Sequence, residues 1–364
     1  MKKFTTPVQK VNAQVIGLDV HKALIAYCIL DRGGREIASG TVGGDPAALE
    51  QLLHEFVGRK KSHLAFETSG HSLWVYDLLV ERYGAERVHV AQAKKIRAIA
   101  NSQQKNDAND AFWLAYLTHE GRLPEAYVPP TDYRELRLAT RERIEAVRRR
   151  TVLFQRVRSH LAQLGRRIGA GTLRSAKARA CVQAIADEIG GERGHALHAS
   201  LGEIESISAV IATWETRIAV IAEQLPAVRA IEAHMPGAGT ILASTVAAEA
   251  GPIERFQSAR AFGRYSGLTP SERSSGGTTR HGGISREGSA YLRWALTQMA
   301  MACTRSRRGP GLAVGDWIRE KQKRMGSKGK ARCAAARKLA ESIWRLFHYG
   351  ECFDPARPFG GPSS

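Results

Sequence analysis

The stretch Gln14-Val15-Ile16-Gly17-Leu18-Asp19-Val20-His21-Lys22-Ala23-Leu24-Ile25-Ala26-Tyr27-Cys28-Ile29-Leu30 decides how the N-terminal part of the chain folds. Residues 14–19 and 23–30 are two apolar runs containing β-branched residues, joined by a short polar link, and each has the length of a strand. Asp31-Arg32-Gly33-Gly34-Arg35 is a turn, after which residues 36–42 return as a third strand. Asp45-Pro46 then opens a helix to about Val57, because Asp45 can accept first-turn N–H groups and proline suits the first helical position. Residues 62–67 read as a fourth strand, 73–83 as a helix and 87–91 as a fifth strand, with helices over 93–100 and 107–119. A three-strand meander followed by α-β-α-β-α is the element order of an RNase H-like domain.

Pro124, Pro129 and Pro130 punctuate the exit from this region, and the next hundred residues carry helix periodicity with little strand signal. Val147, Phe154, Leu161 and Ile168 recur every seven residues, as do Leu197, Ile204, Ile211, Ile218 and Leu225, with Leu201, Trp214 and Ile221 filling the second seam. Such a repeat implies knobs-into-holes packing, either between the two arms or across a dimer. Gly190-Gly191 and Gly194 mark the bend between the arms, and Pro226 ends the second. Met235-Pro236-Gly237-Ala238-Gly239-Thr240 precedes a small apolar helix over 241–250. This turn resembles half of a helix-hairpin-helix, in which the N–H groups around Gly237 and Gly239 take a DNA phosphate, although a plain helix-opening turn has the same pattern. The expected class is α/β plus α. Residues 1–125 form the α/β domain, 126–228 a helical coiled-coil arm, 229–310 a mostly helical domain, and 311–364 a basic C-terminal tail.

The chain of 364 residues carries a net charge of +19, which calls for a polyanionic partner. Its distribution says more. Residues 1–125 hold 16 Lys/Arg against 14 Asp/Glu, 134–179 hold 14 against 3, 180–230 hold 3 against 7, and 305–345 hold 13 against 3. Two lopsided basic runs favour contact with nucleic acid phosphates. In the first run Arg148, Arg149, Arg150, Arg156, Arg158, Arg166 and Arg167 are the candidate contacts. No apolar run approaches the ~20 residues that span a bilayer, and Lys10, Asn12 and Gln14 interrupt any signal-like core. The five scattered cysteines lack metal-ligand spacing, so a zinc site is not expected and a reducing, cytoplasmic setting is.

Two constellations carry chemistry. Asp19 ends the first strand, Glu67 ends the fourth in Phe66-Glu67-Thr68-Ser69-Gly70, and Asp107 and Asp110 stand three apart on one helix face. In an RNase H-like sheet the first and fourth strands are neighbours, so these four carboxylates would cluster as hard oxygen ligands for Mg²⁺ or Mn²⁺. Downstream lies Gly267-Leu268-Thr269-Pro270-Ser271-Glu272-Arg273-Ser274-Ser275-Gly276-Gly277, then Arg280-His281-Gly282-Gly283-Ile284-Ser285. The residues alone read as a Gly/Ser-rich loop whose Arg273, Arg280 and His281 can hold phosphate oxygens.

Taken together these motifs resemble the transposases of the insertion-sequence 110 family, from about Val15 to about Met301. Asp19 falls on the family's Gly-x-Asp-Val-x-Lys acid, Glu67 on its Glu-Thr/Ser-x-Gly acid, and Asp107 and Asp110 on Lys-x-Asp-x-x-Asp-Ala, with Asn106 where threonine is usual. The resemblance implies a RuvC-like DEDD domain followed by the family's transposase domain, and a DNA recombinase working through a covalent DNA–serine intermediate. Ser275 falls on the nucleophile, with Ser274 and Ser271 as neighbouring hydroxyls. It also implies donor and target DNA, a noncoding bridge RNA, dimers that assemble into a tetrameric synapse, and residence in the bacterial cytoplasm at the nucleoid.

Overall fold

Residues 14–43 form the meander, β1 (Gln14–Val20), β2 (Leu24–Leu30) and β3 (Glu36–Gly43), antiparallel throughout. The computed structural model describes residues 10–57, 61–69, 72–92, 95–96, 107–168, 172–275 and 278–360, with backbone alone for 107–108, 172, 272–275 and 278–281. The chain divides into two compact units, Met1–Val128 and Pro129–Ser364.

In the first unit β4 (Ser62–Glu67) lies parallel to β1, and β5 (Val88–Ala91) parallel to β4, giving the order β3-β2-β1-β4-β5. Strand residues alternate between faces. Ile16, Leu18, Leu64 and Phe66 face the helices α1 (Pro46–Phe56) and α2 (Leu73–Tyr83), burying Leu49, Leu53, Val75 and Leu79. Val15, Ala26 and Cys28 face α3 (Asp107–His119) through Ala111 and Ala115, while Ala65 and Ala91 meet its Leu114. Because β1 is central and covered on both faces, it is apolar almost throughout and lacks an alternating pattern. Asp45 caps α1 as expected, its Oδ1 accepting from the Ala48 N–H at 3.0 Å. The helix anticipated over 93–100 falls largely outside the described residues.

The second unit is helical apart from one hairpin. Helix α4 (Thr131–Gln163) runs antiparallel to α6 (Gly191–Gln224), and α5 (Ala176–Ile189) packs across their distal ends. Phe154, Leu161, Leu197 and Ile204 from the seven-residue repeats are buried together with Val182 and Ala186 of α5. Ile218 and Leu225 join Leu136 and Ala139 in the main core. The repeat is thus satisfied between two arms of one chain. Helix α5 is an addition to the two-arm reading. It starts where Ser175 Oγ accepts from the Ala178 N–H, and its alanine-rich sequence gave no strong stripe.

Around the core of this unit lie α7 (Pro226–His234), α8 (Thr240–Ala250), α9 (Ala259–Tyr265), the hairpin β6 (Pro270–Ser275) and β7 (Thr278–Ile284), then α10 (Ala290–Cys303), α11 (Gly309–Met325) and α12 (Lys328–Tyr349). Residues 311–364, read from their charge as a tail, supply Val314, Ile318, Leu339 and Ile343 to that core. Their basic residues occupy the remaining helix faces, so the charge count hides an amphipathic pattern. Among the described residues no helix is long and apolar enough to cross a membrane.

Candidate active site

The sheet of the first unit brings two of the predicted acids to one place. In the parallel register Leu18 pairs with Phe66, so the next residues, Asp19 and Glu67, end adjacent strands side by side. Both share parity with Gly17 and Ala65 and therefore stand on the face covered by α3. Asp19 is only 14% exposed and pairs with His21 Nε2 at 3.0 Å, a partner in Asp-Val-His that the sequence reading passed over. Glu67 is half-buried, and the chain beyond it is tied down by the Thr68 N–H donating to the Ala91 carbonyl at 3.1 Å.

Helix α3 reaches this end of the sheet because Gly17 has no side chain. A Cβ on Gly17 would lie 2.1 Å from the Ala111 carbonyl oxygen and 2.7 Å from the Ala115 nitrogen. Val11 donates its N–H to the His119 carbonyl at 2.9 Å, so α3 runs antiparallel to β1 and starts towards the Asp19 end. Helix α3 opens with Asp107, and Asp110 precedes Leu114 by one turn. Asp110 is exposed, whereas the Asp107 side chain lies outside the described residues. Among the described residues no three His, Cys, Asp or Glu side chains form a metal-holding group. The donors that can be placed, carboxylates at neighbouring strand ends, have the hard-oxygen chemistry of a Mg²⁺ site. Thiols do not enter: burial pushes Cys28 up to about 12 and Cys303 up to about 11, so both stay protonated near neutrality.

In the second unit residues 270–284 form an antiparallel hairpin, where the residues alone suggested a loop. Ser274 pairs with Thr279 and Ser275 with Thr278, which leaves Gly276-Gly277 as the connecting dipeptide, outside the described residues. A Gly-Gly pair between strands is a two-residue hairpin signal, masked here because the flanking residues are polar and do not alternate. Ser275 therefore ends β6 at the hairpin tip. Arg273 pairs with Arg280 and Glu272 with His281 across the strands, their side chains lying outside the described residues. At the hairpin's base Ser285 donates its N–H to the Thr269 carbonyl at 2.8 Å and Ser271 Oγ to the Gly283 carbonyl at 3.0 Å. Arg286 beside them adopts a left-handed φ of 56°.

Beside the start of α10 is a buried carboxylate that the sequence analysis does not single out. Glu249 takes both donors of Arg141 at 2.7 and 2.9 Å and the Ser289 hydroxyl at 2.7 Å, while Ser289 caps α10. Its backbone carbonyl accepts from Arg137 and from the Tyr265 hydroxyl, both at 3.2 Å. Burial holds the Arg137 pKa below its ordinary value, with Glu249 acting the other way. A single acid in the otherwise apolar 241–250 helix was the available signal.

The predicted phosphate contacts divide. Arg156 of α4 pairs with Glu203 at 3.8 Å and Arg166, just beyond α4, with Glu188 at 3.0 Å, both on the chain's own acidic arm, as does Arg143, outside the predicted set, with Glu215 at 2.6 Å. Arg148 pairs with Glu145, Arg150 donates to Ser208 at 3.3 Å, and Arg158 Nε is buried with no hydrogen-bond partner. Arg149 and Arg167 are exposed and carry no ion pair among the described residues. The turn of residues 235–239 joins α7 to α8. Gly237 there has φ +74°, and its Cβ position lies 2.4 Å from the Met299 carbonyl, so packing alone requires glycine, while Gly239 faces open space.

Residues 16–165 match a family model described as a transposase, of the DEDD type, and residues 231–313 match one described as the transposase IS116/IS110/IS902 family. The chain belongs to this IS116/IS110/IS902 family and is a DNA-processing enzyme. It is similar to a probable family 20 transposase of Pseudomonas aeruginosa, at 29% identity over 69% of this chain and 74% of the relative. It is also similar to the transposase for insertion sequence element IS1111A of Coxiella burnetii, at 23% identity over 94% and 92%. A third relative, the transposase for IS1328 of Yersinia enterocolitica, is 34% identical over 33% of this chain and 35% of its own.

Proposed function

We propose that the chain cuts and rejoins DNA through a phosphoserine intermediate, using Ser275 as nucleophile and Asp19, Glu67, Asp107 and Asp110 as a Mg²⁺-binding tetrad in an RNase H/RuvC-like domain. The observation that carries this is the register that sets Asp19 beside Glu67 on the face where α3 begins at Asp107. Mg²⁺ held there supplies Lewis-acid polarisation of the scissile phosphate and charge stabilisation at the leaving oxygen. His21 orients the Asp19 carboxylate, and the burial of that carboxylate strengthens its electrostatic effect. Ser275 forms a new oxygen–phosphorus bond as the bond to the leaving deoxyribose oxygen breaks, and the serine proton ends on that leaving oxygen, which departs as a hydroxyl. The phosphodiester energy is retained in the serine ester, so a strand hydroxyl can attack in turn, restoring Ser275 without ATP. Ser274 is the alternative hydroxyl.

The domains in this reading are 1–125, 126–228, 229–310 and 311–364, with the first carrying the acids and the third the serine. A bridge RNA pairs with donor and target DNA, and Arg149 and Arg167, exposed on the basic arm, are its first candidate contacts. A homotetramer assembles the synapse, in the cytoplasm at the nucleoid. The test is recombination between donor and target plasmids in cells, with the element's flanking DNA present, for wild type, Ser275→Ala and Asp19→Ala. Loss in both variants supports the reading. Cleavage that survives Ser275→Ala contradicts it and assigns the attack to water or Ser274.

A further inference from the structure

We propose that the cleft between the base of the β6–β7 hairpin and helices α11 and α12 binds an unpaired strand of DNA, its bases on an apolar floor and its phosphates on a lysine rim. The proposal rests on the transposase reading above. The cleft has a volume of about 810 Å³, the scale of enclosing ligand sites (roughly 300–1,000 Å³) rather than of surface roughness. One wall is the hairpin's own strand ends, Pro270, Gly282, Gly283 and Ile284. The opposite wall comes from residues beyond 313, outside both matched segments, so the transposase assignment does not account for it.

Its chemistry is mixed in a particular way. Trp317 and Met325 give the floor an aromatic and an apolar surface. Lys321 and Lys338 place their ammonium groups 5.7 and 5.4 Å from the Trp317 ring centre, and Lys330, Arg286 and Arg337 add three more cations. Among the described residues the lining includes one acid, Glu341, and it is already paired with Arg337 at 2.9 Å. Ser327, which caps α12 through the Lys330 N–H, also lines the cleft, so the positive end of a 22-residue helix opens there. The Trp317 ring is half-buried and meets Phe359 edge-to-face at 5.3 Å between centroids, and cations around such a partly open ring are the composition that stacks bases while tracking a backbone.

A neighbouring cleft shows the contrast. About 560 Å³ in volume, it is lined by Arg260, Arg264, Arg337, Thr269, Ser271 and Ser285 among others and holds no aromatic residue. Such a surface suits phosphates alone, as a duplex with stacked bases presents them. The tryptophan groove wastes its floor on a duplex and uses it on a separated strand. From Pro270 at the groove, β6 runs to Ser275 at the tip, about 17 Å of extended chain. A strand seated in the groove is thereby held on the same hairpin as the nucleophile.

The test is salt-dependent fluorescence anisotropy of the full-length protein with a labelled single-stranded DNA, a duplex of equal length and an RNA of the same sequence. For single-stranded DNA, the double variant Lys321→Gln/Lys330→Gln should lower the slope of log K against log salt by about 1.4, at ~0.7 per lost contact, with little change for the duplex. Trp317→Leu should weaken single-strand binding roughly tenfold. Lys330 is exposed and Lys321 only half-buried, so the double variant tests the groove even if Trp317→Leu unfolds. An unchanged single-strand slope, an equal loss on duplex, or tighter groove-dependent binding of the RNA would each overturn the proposal. Groove-dependent binding without any serine adduct would sink the recombinase reading alone, whereas an adduct with unchanged slopes would sink the groove alone.

Discussion

Replacing Gly17 by alanine tests the seating of α3 on β1. The added methyl carbon would stand 2.1 Å from one α3 backbone atom and 2.7 Å from another, where real contacts stay beyond 3.0 Å. Neither atom is a flexible side-chain end, so the helix itself must retreat by about 0.9 Å. Overpacking of this kind costs ~1–3 kcal/mol. The same helix begins at Asp107, so the displacement also parts its acids from Asp19 and Glu67, and a misplacement of ~1 Å in a reacting site costs on the order of 10²-fold in rate. Urea unfolding and a plasmid recombination assay, run on the same preparation, read both effects. Gly17→Ala with wild-type stability would refute the packing of α3 on β1. Lost stability with wild-type recombination, at a temperature where the variant remains folded, would refute a role for the α3 acids.

Other substitutions separate packing from chemistry. Gly202, exposed within α6 with nothing near its Cβ position, should gain ~0.5–1 kcal/mol on replacement by alanine, read as a higher urea midpoint. Glu249→Ala leaves Arg141 and the Ser289 hydroxyl without their carboxylate, while Arg137 keeps its bonds to the backbone carbonyls of residues 248 and 249. Because Arg141 stays 41% exposed, the loss should fall at the low end for a broken buried pair, ~3 kcal/mol by the same measurement. Acid should weaken the first unit in two steps. Burial, then the neighbouring His89, holds the His63 pKa below its ordinary 6.5, so the unfolded chain takes up that proton first and stability falls as pH drops below 6.5. The hydrogen bond from His89 holds Glu125 below its ordinary 4.5, so its contribution is present above 4.5 and lost as pH drops further. Thermal melts from neutral pH downward should show the first step in wild type and lack it in His63→Phe.

Much of the α/β unit was legible in the sequence because its signals are local. Asp45-Pro46 starts α1, the turn at 31–35 returns the meander, and β1 and β2 are short apolar runs bounded by polar residues. The adjacency of Asp19 and Glu67 followed from strand order, since parallel neighbours end together. What escaped depends on non-local contact. The Gly17 approach to Ala111 is a contact between residues 94 positions apart in sequence. The ion pair of Arg156 with Glu203 exists only once α4 and α6 pack antiparallel, that of Arg166 with Glu188 only once α5 packs at the end of α4, and charge counts alone assigned those arginines to phosphate. The hairpin at 270–284 escaped for another reason, since its backbone pairs while its polar sequence offers no alternating face.

The central claim is a covalent bond between this chain and DNA at Ser275. Purified wild type, Ser275→Ala, Ser274→Ala and Asp19→Asn would be incubated with Mg²⁺, the element's flanking noncoding RNA and a labelled donor DNA. Denaturing gels would then separate any protein-linked label, and mass spectrometry would locate it. The account predicts an adduct on Ser275 in wild type and Ser274→Ala, and none in Ser275→Ala or Asp19→Asn. An adduct that persists in Ser275→Ala, or DNA cut by every serine variant with no protein attached, would contradict it.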